Sequence, residues 1–312
     1  PHFTKLKRTL QFAALGFDVA FQEIFSTLSY GGELVVIDEE VRFSPAELFR
    51  LIITRGVERI FLPFVALQLL ADGYAAVRDS FGRDEDLGCS LREVITAGEQ
   101  LRIEPRISAM FRALPGCRLI NHYGPTESHV VTCHWLDADV STWPLLPSIG
   151  KPIANSHIYL LDAERQPVPI GVAGELFIGG ICVASGYLNR DDLTAERFLS
   201  DPFAADADAR MYKTGDLARW RPDGTIDYLG RNDFQVKIRG FRVELGEIEA
   251  RLAEHPLLRD AAVTAREDTP GVKRLVAYYT PREVGAVVPA DTLRAYLTPL
   301  LPDYMVPAVF MQ

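Results

Sequence analysis

The stretch Asn121-His122-Tyr123-Gly124-Pro125-Thr126-Glu127 decides how the rest of the chain is read. It follows the short apolar run Cys117-Arg118-Leu119-Ile120, which reads as a buried strand, so the seven residues are expected where that strand ends. In open α/β sheets, ligands bind outside the carboxyl ends of the strands. The residue types suit a nucleotide. Tyr123 offers a flat face, Gly124 lets backbone approach a ligand closely, and Pro125 fixes the turn. Thr126 supplies a hydroxyl, and Glu127 supplies the hard carboxylate oxygen that Mg²⁺ accepts beside phosphates. In isolation the same residues also describe an ordinary Gly-Pro turn with polar neighbours.

Upstream, strand and helix patterns alternate. Residues 18–28 carry apolar side chains at helical spacing and stop at Gly31-Gly32; residues 33–37 read as a buried strand. Ser44-Pro45 opens a helix through Ile53, with Ser at the cap and Pro in the first turn. Residues 59–62 form the next strand, with a helix after Pro63; then come a strand at 92–96 and a helix over about 102–113. This alternation predicts a mainly parallel sheet with right-handed crossovers over residues 1–150. From 151 to 231, short period-2 runs between Gly and Pro turns predict a small antiparallel barrel or sheet. From 232 to 312, a hairpin bending at Gly240, a helix at 244–253, strands at 261–263 and 275–279 and a helix at 291–298 predict a small α+β lobe.

The composition is that of a water-soluble globular protein: 312 residues, 48% hydrophobic and 24% charged, with a net charge of −9. Charges of both signs are interleaved, which gives no basis for a nucleic-acid or anionic-membrane surface. No apolar run approaches the roughly 18 residues that span a bilayer, and the start has no signal-peptide pattern. The four cysteines show neither CxxC nor zinc spacing, which fits reduced thiols in a cytoplasmic protein. The six histidines are scattered without a metal-cage pattern. A monomeric domain within something larger is the expectation.

Together with FDVAFQEIF (17–25), GELFIGGICVASGYL (174–188), YKTGDLARW (212–220), GRNDFQVKIRGFRVELGEIE (230–249) and LPDYMVP (301–307), the NHYGPTE stretch resembles the ordered motifs of nonribosomal peptide synthetase adenylation domains. These belong to the adenylate-forming enzymes, and the resemblance runs nearly end to end. It implies their fold: a parallel-rich α/β part, a β-rich part (151–231) and a mobile C-terminal lobe (232–312). It implies activation of an amino acid by ATP and Mg²⁺ to an aminoacyl-AMP and pyrophosphate. Transfer to the phosphopantetheine thiol of a carrier protein, beside neighbouring synthetase domains, would follow.

The resemblance also implies roles. The positions matching Asp18, Val19, Gln22, Phe61, Ile95, Ala97, His122, Val130 and Val131 line the amino-acid pocket, and the combination resembles proline-activating members. Asp18 matches the acid that holds the α-ammonium; a half-buried carboxylate needs such a cation, although the position also suits a first-turn acid. Phe61, Ile95, Val130 and Val131 read equally well as core. Asn121, Tyr123, Gly98, Tyr228 and Arg231 match nucleotide-binding positions, and Asp216 matches the acid, read here on an exposed loop, that accepts from the ribose hydroxyls. Thr126 matches a phosphate contact, Glu127 the Mg²⁺ ligand, Asp233 the hinge and Gly240 the thioester-step segment.

The family's phosphate loop and its catalytic Lys lie outside the 312 residues, so these residues alone are expected to be weak or inactive. An acyl- or aryl-CoA ligase of the same superfamily is an alternative that Asp18 disfavours, since such substrates lack an ammonium. A non-catalytic docking module is a second.

Overall fold

Seven strands, β1 (Arg8–Gln11), β2 (Glu33–Val36), β3 (Arg59–Leu62), β4 (Glu93–Thr96), β5 (Arg118–Tyr123), β6 (Thr132–Trp135) and β7 (Lys151–Pro152), form one sheet in the order β2-β1-β3-β4-β5-β6-β7. The first five run parallel; β6 and β7 add antiparallel. Between them lie α1 (Asp18–Leu28), α2 (Glu39–Arg42), α3 (Pro45–Arg55), α4 (Phe64–Ser80) and α5 (Pro105–Ala113). Pro45 opens α3 and Gly56 ends it in the left-handed conformation; Ser44 holds the N-cap position, but its side chain makes no capping bond. In this computed structural model the described residues are 8–80, 87–232, 235–238, 241–269, 272–283 and 285–312.

Strand alternation sends side chains to two faces. Leu10, Ile60, Leu62, Val94 and Leu119 join residues of α3, α4 and α5 in the main core. Phe61, Ile95 and Ile120 point the other way, into a small cluster with Val19 of α1 and Cys133. Below them, at the starts of β3 and β4, Arg59 and Glu93 sit opposite each other and form a buried ion pair at 2.8 Å.

Several sequence expectations change. The strand β1 has no counterpart among them. Residues 33–37 do not form a buried strand: β2 is the sheet edge, with Val36 largely exposed. Helix α5 begins at Pro105 rather than about 102. The strand β5 runs through Tyr123, so Asn121, His122 and Tyr123 lie on it rather than after it. On α1 the polar side chains Gln22, Glu23 and Thr27 are buried, while Phe21 and Phe25 are 62% and 52% exposed.

The next part is an antiparallel sheet of β8 (Ser156–Leu161), β9 (Gly174–Gly180), β10 (Phe198–Ser200), β11 (Arg210–Trp220) and β12 (Ile226–Arg231), with α6 (Asp191–Arg197) before β10. Its order is β10-β11-β9-β8, with β12 on β11. Register shifts between Lys213 and Leu217, so β11 carries a bulge at Thr214-Gly215-Asp216.

The chain divides into two compact units, Pro1–Gly230 and Arg231–Gln312. In the second, β13 (Gln235–Ile238) and β14 (Phe241–Glu244) make a hairpin that leads into α7 (Leu245–Ala253). There β15 (Leu258–Thr269) pairs antiparallel with β16 (Val272–Pro281), α8 (Ala290–Leu297) follows, and β17 (Val309–Met311) adds parallel to β16. Val243, Ile248, Leu252, Leu258 and Leu293 centre its core. The hinge expectation at Asp233 and the thioester-step expectation at Gly240 lie outside the described residues. Among the described residues no helix is long and apolar enough to cross a membrane.

Candidate active site

Register assembles the first half of the site. Phe61, Ile95 and Ile120 are opposite one another in β3, β4 and β5. The next row, Leu62, Thr96 and Asn121, turns to the other face, which returns Ala97 and His122 to the face of Phe61 and Ile95 at the carboxyl ends of the strands. Asp18, Val19 and Gln22 share one face of α1 by helical spacing, and Val19 packs into the Phe61–Ile95–Ile120 cluster. The structure therefore brings Val19, Phe61 and Ile95 into contact and sets Ala97 and His122 beside them. Val131 does not join them: it is fully buried in the core of the second sheet with Tyr123. Val130 is half-buried on the turn before β6. Ile120 and Cys133 were missed, although Ile120 precedes His122 by two on one strand and so must share its face.

The polar groups of this half are incompletely satisfied. His122 is 3% exposed, and burial pushes its imidazole down to about 3, so it stays neutral. Its Nδ1, and Oε1 of Gln22 (7% exposed), are buried without a hydrogen-bond partner among the described residues. Such atoms cost about 1–3 kcal/mol each unless a water or a polar ligand atom meets them. Asp18 is half-exposed at the rim. Its carboxyl is held below the ordinary value first by His129, with the Thr126 hydroxyl and Val19 amide adding to the effect. His129 Nδ1 lies 3.8 Å from Asp18 Oδ2, an ion-pair distance too long for a hydrogen bond. No local pattern announced His129; its backbone is left-handed, and its carbonyl closes the turn against Gly124. A Cβ on Gly124 would stand 1.8 Å from that carbonyl oxygen, so the close approach Gly124 permits is to its own loop rather than to a ligand.

The second half corrects the reading of Asp216. It is not on an exposed loop: it is 2% exposed in the β11 bulge. Tyr123 Oη donates to Asp216 Oδ2 at 2.5 Å and Tyr228 Oη donates to Oδ1 at 3.4 Å, while the Asp216 amide donates to Thr214 Oγ1 at 2.9 Å. Burial and the adjacent carboxylate push the Tyr123 phenol well above its ordinary value, so it remains a donor. The Tyr123 and Tyr228 rings are 6.2 Å apart and tilted by 43°, and Tyr123 is 6% exposed, so its ring is occupied in packing. Asn121 is likewise spent internally, donating to the Ser148 carbonyl at 2.9 Å. Gly98, left-handed and exposed, turns the chain after β4, and Arg231 ends β12.

Glu127 completes the loop. Its Oε1 accepts from Tyr187 Oη at 2.6 Å, and its carbonyl accepts from the Ala184 amide at 2.8 Å. Among the described residues no group of three or more His, Cys, Asp or Glu could cage a metal. A single carboxylate fits a hard cation that arrives with phosphates and keeps much of its water, the habit of Mg²⁺.

Comparison with known proteins supplies the family. The chain is 46% identical over 304 residues to a linear gramicidin synthase of Brevibacillus parabrevis, covering 97% of this chain and 4% of that protein. It is 43% identical over 304 residues to gramicidin S synthase 2 of Brevibacillus brevis, covering 97% and 6%. The chain thus spans a small fraction of these relatives. Among solved structures, IdnL1 superposes with a TM-score of 0.83 at 27% identity over 99% of this chain and 61% of its own. Holo-PA1221, an NRPS protein containing adenylation and PCP domains, superposes with a TM-score of 0.80 at 30% identity over 100% and 51%. The family of AMP-binding enzymes matches residues 2–188, and the AMP-binding enzyme C-terminal domain matches 247–312. This chain belongs to the AMP-binding enzyme family.

Proposed function

We propose that the chain is the adenylation unit of a nonribosomal peptide synthetase and that it activates L-proline. The observation that carries the reading is the pocket: an apolar wall of Val19, Phe61 and Ile95 with two acceptors one helical turn apart on α1, the ionised Asp18 and the unpartnered Gln22 Oε1. A secondary ammonium has two N–H donors. One is accepted by Asp18 in place of His129, the other by Gln22, while the five-membered ring rests on the apolar wall. The relatives named as gramicidin synthases support the reaction class.

In the reaction, a carboxylate oxygen of the amino acid attacks the α-phosphorus of ATP. A P–O bond forms, the bond to pyrophosphate breaks, and aminoacyl-AMP remains. Asp18 and Gln22 fix the amine and so aim the carboxylate; Asp216, oriented by Tyr123, accepts from the ribose hydroxyls, and Tyr228 and Arg231 flank the nucleotide. Thr126 contacts phosphate. Glu127 would hold the Mg²⁺ that travels with ATP, and the cation would neutralise phosphate charge. A carrier protein's phosphopantetheine thiol then attacks the acyl carbon and releases AMP, with the lobe from 232 onward turning about Asp233 and presenting Gly240 to the arm. Residues 1–150, 151–231 and 232–312 act as three parts of a monomeric cytoplasmic domain, next to other synthetase domains.

The test is amino-acid-dependent exchange of pyrophosphate into ATP, with the common amino acids run in parallel on protein carrying the family's phosphate loop and Lys. Proline should dominate, and Asp18→Ala should abolish its signal. Dominance of another amino acid would keep the reaction and discard the pocket assignment. Silence with all of them would discard the reaction.

A further inference from the structure

The end of the segment 174–188 holds Glu127 at two points. The Tyr187 hydroxyl donates to Glu127 Oε1 at 2.6 Å, and the Ala184 amide donates to the Glu127 carbonyl at 2.8 Å. An O–H···O bond of that length to a carboxylate is charge-assisted.

The holder is itself held. The Tyr187 amide donates to Thr194 Oγ1 at 2.9 Å, and that hydroxyl donates to the Arg190 carbonyl at 2.8 Å. Arg210 donates to the carbonyls of Ala184 and Ser185 at 3.1 and 2.9 Å, with its guanidinium over the Phe198 ring. The Tyr187 ring meets Phe198 edge-on, with centroids 5.3 Å apart. Gly186, at φ 143°, lets the chain press on Thr194; a Cβ there would lie 2.5 Å from the Thr194 methyl. A side chain fixed at its ring, amide and neighbouring carbonyls has one place to put its hydroxyl.

We propose that Tyr187 is a positioning residue that fixes the Glu127 carboxylate for the divalent cation of the nucleotide, and that residues 184–187 form the rigid cradle of that carboxylate. The proposal rests on the reading of Glu127 as the cation's ligand. It gives the 174–188 motif its role: β9 ends, and the following turn reaches across to the loop after β5.

The test uses the same protein with Tyr187→Phe, which keeps the ring and removes the hydroxyl, and with Glu127→Gln. ATP affinity is measured by calorimetry with and without Mg²⁺; the ratio is internal to each variant, so a general loss of stability cancels. Outer-shell partners of metal ligands are worth about 10–100-fold in affinity. Tyr187→Phe should reduce the Mg²⁺ enhancement about tenfold, raise the half-saturating Mg²⁺ in pyrophosphate exchange by a similar factor, and leave the amino-acid KM unchanged. An unchanged Mg²⁺ enhancement in Tyr187→Phe alongside a loss in Glu127→Gln would reduce Tyr187 to packing. An unchanged enhancement in Glu127→Gln would remove the metal reading of Glu127, and the proposal with it.

Discussion

Glu23 predicts a stability curve that runs against the usual carboxylate. It is fully buried on α1 and accepts from the Phe12 amide at 3.1 Å, the Ala13 amide at 3.1 and 3.2 Å, and Gln11 Nε2 at 3.3 Å, fastening the end of β1 to the helix that carries Asp18. Burial outweighs those bonds and the attraction of Arg42, pushing the carboxyl from 4.5 up to about 7. Below pH 4.5 the group is protonated in both states and contributes no pH dependence. Between 4.5 and 7 the unfolded chain releases the proton while the folded one keeps it, so stability falls as pH rises, by about 3 kcal/mol in all, and is flat above. Glu23→Gln removes the charge but puts an amide donor opposite Gln11 and Ala13, a loss of about 1 kcal/mol. The variant should therefore be about 1 kcal/mol less stable at pH 4.5 and about 2 kcal/mol more stable at pH 8. For a unit of this size the gain at pH 8 is roughly 4–8 °C in thermal midpoint. Midpoints of both proteins across pH 4.5–8 should cross. Parallel curves, with the variant lower throughout, would refute the reasoning and mean that the backbone amides keep Glu23 ionised despite its burial.

Three other substitutions test the frame and the site. Arg59→Met strands the buried Glu93 carboxylate at a cost of about 3–5 kcal/mol, roughly 6–20 °C in midpoint, and pairing it with Glu93→Leu should restore most of the loss in calorimetry. Tyr123→Phe deletes the 2.5 Å bond to Asp216 and should raise the KM for ATP about tenfold or more, with the proline KM unchanged in the exchange assay. Gly124→Ala drives a methyl into the His129 carbonyl, so the turn must open and the KM values for both substrates should rise together.

Local pattern announced the elements whose reasons are local. Residues 59–62 and 92–96 hold the short apolar runs Ile60-Phe61-Leu62 and Val94-Ile95, each followed by a helix pattern, which suits buried parallel strands. The strand β1 failed that test: Arg-Thr-Leu-Gln shows one apolar residue in four, yet Thr9 and Leu10 are fully buried because β2 and β3 flank it. Periodicity found α1 but could not say which side packs, and tertiary placement turned Gln22, Glu23 and Thr27 inward. Thr214-Gly215-Asp216 reads as a turn, and Gly215 does adopt a left-handed φ of 76°, but the bulge keeps the chain in β11 and aims the carboxylate inside. Phe61, Ile95 and Val19 were visible as apolar residues, and strand register explains why they meet. His129 and Tyr187 carried no signal, since the partner of Tyr187 lies 60 residues away.

The same physics explains why one short stretch recurs in every part of the site. Consecutive residues of β5 face opposite ways, so His122 enters the pocket face while Tyr123, one position on, reaches the second sheet and bonds Asp216. Four residues later Glu127 is fastened to Tyr187 from the turn after β9. Between these anchors the chain doubles back so tightly that Gly124 touches the backbone of His129, whose Nδ1 lies 3.8 Å from Asp18 Oδ2. A turn fixed at both ends and crossed in the middle has no slack. A substitution that opens this turn should therefore disturb the His129–Asp18 approach and the Tyr187–Glu127 bond together.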